Sequence, residues 1–264
     1  MVEYTDQTGK KIILNKTPER IVSLVPSVTE LLYDLGLDGR VAGITKFCIH
    51  PELWFRNITK VGGTKNPGLD KIRSLNPDLI IANKEENRKE DVDALAGDFP
   101  VWVSDVRNTT QALQMISDIG NLTQCHEKAA EITHSIRESL VPSSDWPARK
   151  TIYLIWWNPM MAVSSDTFIH DMMRCAGFEN LTASSPDRYP ILSESQIKDL
   201  DPDLILASSE PFPFKDEHLR ILRDLVPRAQ ILPVDGEIFS WYGSRMLKAP
   251  AYFNWLRREL SASH

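Results

Sequence analysis

The sequence predicts an α/β protein of two similar lobes, and three observations predict it. The first is a repeat: Ile72-Arg73-Ser74-Leu75-Asn76-Pro77-Asp78-Leu79-Ile80-Ile81-Ala82 lines up with Ile197-Lys198-Asp199-Leu200-Asp201-Pro202-Asp203-Leu204-Ile205-Leu206-Ala207, 125 residues later. The second is the grammar of each copy. A short amphipathic helix runs into a proline that ends it, then into a continuous apolar run of the kind buried on both faces of a parallel sheet. The third is a shared order of elements around the copies. Each half opens with an apolar strand (Ile21 to Val25; Ile152 to Ile155), then a helix closing on glycine (Gly36; Gly177). After each copy comes a further apolar stretch, Val101-Trp102-Val103 or Ile231-Leu232. The expected architecture is two Rossmann-like lobes with central parallel sheets.

In the first half, Ser27-Val28-Thr29-Glu30 reads as a capping box that starts the helix ending near Gly36. Between the halves, Thr123 to Leu140 carries Ala129, Ala130, Ile132, Ile136 and Leu140 among charged residues, without Gly or Pro until Pro142. This spacing predicts one helix of about 18 residues, about 27 Å long. A Pro/Ser-rich break, Pro142 to Pro147, follows. The expected organisation is a lobe over 1–122, a single connecting backbone helix over 123–142 and a second lobe over 143–264. So stiff a connector predicts little hinge closure.

Composition removes several classes of function. Thirty basic against thirty-six acidic residues, net charge -6, give no basic excess for a nucleic-acid backbone. The longest apolar stretch, around Ile152 to Trp157, falls far short of the roughly 20 residues that span a bilayer. The first residues lack the pattern of a secretory signal, so the expectation is either a cytosolic protein or one from which a leader has been removed. Cys48, Cys125 and Cys175, widely spaced, read as free thiols. Gly62 to Gly68 lacks the spacing of a phosphate-binding P-loop, and neither a dinucleotide fingerprint nor a nucleophile elbow is present. The six histidines form no tight ligand pair. No catalytic residue and no resident metal site is therefore expected.

Open α/β sheets bind ligands at the C-terminal ends of their strands. At such positions the first half offers Phe47, Cys48 and His50, then Asn83, Lys84, Glu85 and Glu86; the second offers Trp156, Trp157 and Asn158, then Ser208 and Ser209, then Glu237, Phe239, Trp241, Tyr242 and Arg245. Aromatic side chains with an arginine nearby suit a flat apolar ligand with an anionic or polar edge. His50 reads either as a hydrogen-bonded loop residue or as an axial ligand to a metal carried by the cargo.

The chain resembles the cobalamin- and siderophore-type substrate-binding proteins of ABC importers, whose two lobes are joined by one backbone helix. The residues that carry the resemblance are Arg20 to Glu30, Val61-Gly62-Gly63, Pro77 to Ala82, Ala176 to Leu181 and Pro202 to Ile205. The resemblance implies a non-catalytic receptor without a cofactor, carrying a ferric siderophore, corrinoid or haem as cargo in an inter-lobe cleft. It makes Tyr189 a ligand-stacking aromatic and one glutamate per lobe a docking point for the membrane permease. In the second lobe this is Glu194, after Tyr189-Pro190; in the first, the aligned position is Lys89, and Glu86 or Glu90 takes the role. Cobalamin binders carry tryptophan where Asn83 stands. The resemblance also implies a monomer that is periplasmic or tethered outside the cytoplasm. The rival is a two-lobed Rossmann-like enzyme, such as a sugar-nucleotide transferase, with Glu237 or Asp235 as base.

Overall fold

A computed structural model describes residues 1–141 and 146–262. The chain forms two compact units. The first comprises Met1–Val106, Thr110–Ile136 and Tyr242–Arg245; the second comprises Arg107–Thr109 and the described residues of Arg137–Trp241 and Met246–His264.

The first unit begins with a hairpin, β1 (Val2–Thr5) and β2 (Lys11–Leu14), paired antiparallel with Val2 opposite Leu14. Asp6 closes it. One carboxylate oxygen accepts from the Thr8 and Lys10 backbone N–H groups and the Thr8 hydroxyl, and the other accepts from the Val103 N–H, tying the hairpin to the sheet. The elements that follow are β3 (Ile21–Ser23), α1 (Pro26–Asp34), β4 (Val41–Ile44), α2 (Glu52–Asn57), β5 (Thr59–Lys60), α3 (Leu69–Ser74), β6 (Leu79–Asn83), α4 (Lys89–Ala96) and β7 (Val101–Ser104). The five strands form a parallel sheet in the order β5-β4-β3-β6-β7. Every residue of β3, β6 and β7 is buried, as continuous apolar runs require when helices cover both faces.

Two further helices follow: α5 (Thr109–Thr123), which precedes the helix expected over 123–140, and α6 (His126–Ser139), which is that helix at 14 residues rather than about 18. Gln124 takes a left-handed φ of 60° and breaks the run. Gly120 explains the turn: a Cβ there would overlap the Ala129 Cβ, so the two helices pack at a glycine-permitted distance. The apolar stripe Ala129, Ile132 and Ile136 is buried, and α6 as far as Ile136 belongs to the first unit. Periodicity located this stripe correctly, but the segment belongs to the first unit as far as Ile136 and is not a free-standing rod. The divisions at 122 and 143 accordingly give way to the unit boundaries above. Of the Pro/Ser-rich break, residues 142–145 lie outside the described residues.

The second unit contains β8 (Arg149–Trp156), β9 (Met161–Ala162), α7 (Phe168–Cys175), β10 (Phe178–Asn180), α8 (Glu194–Asp199), β11 (Leu204–Ser208), α9 (Asp216–Leu225), β12 (Gln230–Val234), α10 (Gly236–Ser240) and α11 (Ala249–Ala262). Its parallel strands run β10-β8-β11-β12, with β9 antiparallel to β8. Ile152, Leu154, Ile197, Ile205, Leu219 and Leu222 form its core.

The repeat is structural down to single hydrogen bonds. After α3 and α8 the chain turns through left-handed residues at corresponding places, Asn76 (φ 46°) and Asp201 (φ 44°). The next aspartates then do the same work. The Asp78 carboxylate accepts from the Arg20 N–H at 2.7 Å, and the Asp203 carboxylate accepts from the Lys150 N–H at 3.0 Å. Each thereby fixes the start of its β6 or β11 strand beside the neighbouring strand.

The capping box expected at Ser27 to Glu30 does not form. Pro26 occupies the first turn of α1, the N-cap is Val25, and Glu30 is buried within the helix. The box is found instead at α8, where Ser193 and Gln196 cap each other's backbone N–H groups. No helix among the described residues is long and apolar enough to cross a membrane.

Candidate ligand-binding site

In the first unit, the loop after β4 is set by Cys48. Its Sγ lies 3.1 Å from both Thr29 Oγ1 and Thr45 Oγ1, and burial raises the thiol pKa above its usual value. With Cys48 turned inward, its neighbours Phe47 and Ile49 turn outward, and Phe47 is 50% exposed. The Lys46 ammonium sits 5.0 Å from the Phe47 ring centre. His50 is half-buried at the end of this loop.

The loop after β6 is organised by Asn83, and here the structure departs from the expected ligand contact. Asn83 is buried, its Nδ2 donates to the Ser104 carbonyl, and its Oδ1 accepts from the Glu85 and Glu86 N–H groups. The Asn87 side chain completes the turn, accepting from the Asn83 N–H and donating to the Thr64 carbonyl. Asn83 thus shapes the loop. Lys84, exposed, pairs with Asp105 at 2.6 Å.

Tyr242 and Arg245 also depart from their expected roles. Tyr242 is buried in the first unit with its hydroxyl 3.5 Å from Glu86 Oε1, and burial pushes its pKa well up. Arg245 is buried against Glu30, with Nε and Nη2 at 2.6 and 3.0 Å from the two carboxylate oxygens. A guanidinium held this way serves the fold and not a cargo carboxylate. Glu86 is half-buried, whereas Glu90 stands exposed in the first turn of α4.

In the second unit, β8 ends at Trp156, which is 39% exposed, and the half-buried Trp157 follows. They meet side chains from the loop after the adjacent strand β11 and from α9. Trp156 packs on Phe212 at 5.6 Å between ring centres, and Trp157 packs on Phe214 at 6.1 Å and on His218 at 4.8 Å. His218 is buried, its Nδ1 accepts from the Lys215 N–H, and its ring also touches Phe212 at 5.1 Å. Sequence reasoning missed Phe212, Phe214 and His218. The signal was the run Pro211-Phe212-Pro213-Phe214 directly after the repeat strand.

Trp241 is buried, not presented. Its Nε1 donates to Glu210 Oε1 at 2.8 Å, as does the Ser240 hydroxyl at 2.6 Å, while burial raises the Glu210 pKa. Tyr189 is half-buried with the Arg188 guanidinium 5.8 Å from its ring centre. Asp235 caps α10 by accepting from the Glu237 N–H, so the side chain suggested as an enzymatic base already has a structural duty. Glu194 opens α8 and is exposed. The repeat adds another surface carboxylate: the 125-residue offset sets Asp70, fully exposed in the first turn of α3, opposite Ser195, next to Glu194. Among the described residues, no group of three or more His, Cys, Asp or Glu is arranged to hold a metal ion.

Both units thus present strand-end side chains suited to contacting a ligand, with no nucleophile and base pair among them. The sequence model of the periplasmic binding protein family matches residues 21–223. The chain belongs to the periplasmic binding protein family. A substrate-binding lipoprotein of an ABC transporter from Bacillus subtilis is 27% identical over 220 residues, covering 78% of this chain and 69% of its own length. A vitamin B12-binding protein of Yersinia pestis is 28% identical over 198 residues, covering 72% of this chain and 69% of its own. In fold, the chain is similar to the periplasmic vitamin B12 binding protein of Vibrio cholerae, with a TM-score of 0.77 at 20% identity, covering 91% of this chain and 98% of that one. Periplasmic binding proteins are carriers and not enzymes, so the transferase reading falls, and their ligands are cargo that requires no resident cofactor.

Proposed function

We propose that this periplasmic binding protein is the substrate-binding receptor of an ABC importer, and that its cargo is a metal chelate or tetrapyrrole-type molecule: a ferric siderophore, corrinoid or haem. The family match across 21–223 carries the receptor reading. The cargo class is supported by the exposed aromatic side chains Phe47 and Trp156 at strand ends and by relatives named for vitamin B12. Phe47, His50 and Lys84 in the first unit, and Trp156, Trp157 and Tyr189 in the second, are the contact residues proposed.

The test is to titrate the protein with haemin, cyanocobalamin and a ferric hydroxamate, following absorbance of the chelate and quenching of tryptophan emission. Saturable binding of one of them is expected; binding of none overturns the reading.

For delivery, Glu194 and Glu90 are the proposed docking carboxylates, with Asp70 as the alternative that the repeat supplies in the first unit. Glu194→Ala should leave cargo affinity intact and impair uptake in cells carrying the permease. A loss of cargo affinity in that variant would remove the docking role. The working form is a monomer outside the cytoplasm, tethered to the membrane as the Bacillus relative's description as a lipoprotein suggests. Sedimentation of the purified protein and fractionation of cells test these two points.

A further inference from the structure

We propose that Trp156 and Phe212 form a corner that recognises the face of a flat conjugated macrocycle, which selects a tetrapyrrole over a hydroxamate-type chelate; this rests on the receptor reading above. Trp156 ends β8 and Phe212 lies in the loop that follows the neighbouring parallel strand β11, and their rings meet at 62° with centres 5.6 Å apart. A flat ligand stacked on one ring therefore touches the edge of the other, the arrangement aromatic quadrupoles favour.

The corner is rigid before any ligand arrives. Phe212 rests on Phe214 at 5.2 Å and on His218 at 5.1 Å, and His218 is itself held by the Lys215 N–H. Rings fixed in this way lose little freedom on binding, so the contact is not diluted by ordering costs.

The corner is also poor in free donors. The Trp156 indole N–H donates to the Asn158 carbonyl at 3.1 Å; His218, whose Nδ1 accepts from the Lys215 N–H, carries its proton on Nε2, but that residue is buried and its Nε2 lies 3.8 Å from Glu217 Oε1. An oxygen-rich hydroxamate chelate needs hydrogen-bond donors that this corner does not supply. Two hollows of this unit lie elsewhere: a groove of about 420 Å³ between 181–192 and α8, and a smaller one of about 220 Å³ around Phe178 and Arg257.

The experiment measures the affinity of the protein, residues 1–264, for haemin, cyanocobalamin and ferrioxamine. Wild type, Trp156→Ala, Phe212→Ala and Phe212→Leu are compared, with thermal midpoints recorded for each. The expected result is tetrapyrrole binding that weakens about tenfold or more on Trp156→Ala or Phe212→Ala. Phe212→Leu, which keeps apolar bulk but not the ring, should lose as much while melting near wild type. Ferrioxamine should bind at least tenfold more weakly than the bound tetrapyrrole. If wild type binds a tetrapyrrole and Phe212→Leu binds it equally well, or if ferrioxamine is preferred, the corner is overturned and the receptor reading stands. If wild type binds none of the three, the receptor reading is overturned and the corner with it.

Discussion

Arg245 and Glu30, 215 residues apart in sequence, form a two-point ion pair inside the first unit, with both side chains less than a tenth exposed. The pair attaches the late segment Tyr242–Arg245 to a unit otherwise built from the first half of the chain. Removing only the cation leaves a buried carboxylate. Arg245→Ala should therefore cost about 3–5 kcal/mol, and the double replacement Arg245→Met with Glu30→Leu should recover most of it. Urea unfolding of the three proteins checks this; a single mutant within 1 kcal/mol of wild type would show the pair to be energetically idle.

The left-handed residues Asn76 and Asp201 sit at matching places in the two repeat copies, at φ 46° and 44°. Left-handed backbone is strained for side chains branched at Cβ, less so for Asn and Asp. Asp201→Val and Asn76→Val should each lower stability by about 1–2 kcal/mol, and the glycine replacements should be neutral or slightly stabilising. Thermal melts of the four variants test whether the two turns respond alike.

Gly120 lets α5 approach α6 at Ala129. Gly120→Val should destabilise by about 1–3 kcal/mol through overpacking, and Ala129→Gly in that background should return part of the loss. The coupling measured by a double-mutant cycle would vanish if 123–140 were one uninterrupted helix facing away from α5.

His170 and Glu210 predict opposite responses to pH. Burial lowers the His170 pKa below its ordinary 6.5, its Nδ1 lying 3.2 Å from Asn180 Nδ2. The unfolded chain then binds more protons in acid, so stability conferred by neutral His170 is present above pH 6.5 and is lost as the pH falls through the lowered value. Burial raises the Glu210 pKa above its ordinary 4.5. Here the folded state binds the proton more readily, so ionisation removes stability as the pH rises from 4.5 through the raised value. Glu210→Gln, which keeps an acceptor for Ser240 and Trp241, should be more stable than wild type at pH 7 and converge with it in acid. His170→Phe should flatten the acid limb. Unfolding free energies from pH 4 to 8 decide both.

Much of the fold was legible because its signals are local. Pro77 and Pro202 end helices, the apolar runs after them become β6 and β11, and Gly36 and Gly177 take positive φ where their helices close. The break at Gln124 was not legible, since neither Gly nor Pro marks it and the close fit of Gly120 against Ala129 is visible only in the fold. At the candidate site, strand ends pointed to Phe47 and Trp156, both of which are exposed. Asn83, Tyr242 and Arg245 share their position and chemistry with the residues proposed for contact, and only their partners, Ser104, Glu86 and Glu30, reveal that they are held within the fold. Phe212 was visible as a motif, but its neighbour Trp156 is supplied by a different strand.

The return of Tyr242–Arg245 to the first unit bears on how the protein is made. While the ribosome is still adding residues before 245, Glu30 has no guanidinium to meet, so the early half cannot close in its final form during most of synthesis. Cleaving the gene after residue 241 would thus yield an amino-terminal fragment missing its own keystone, and a peptide containing 242–245 would have to be added back to complete it.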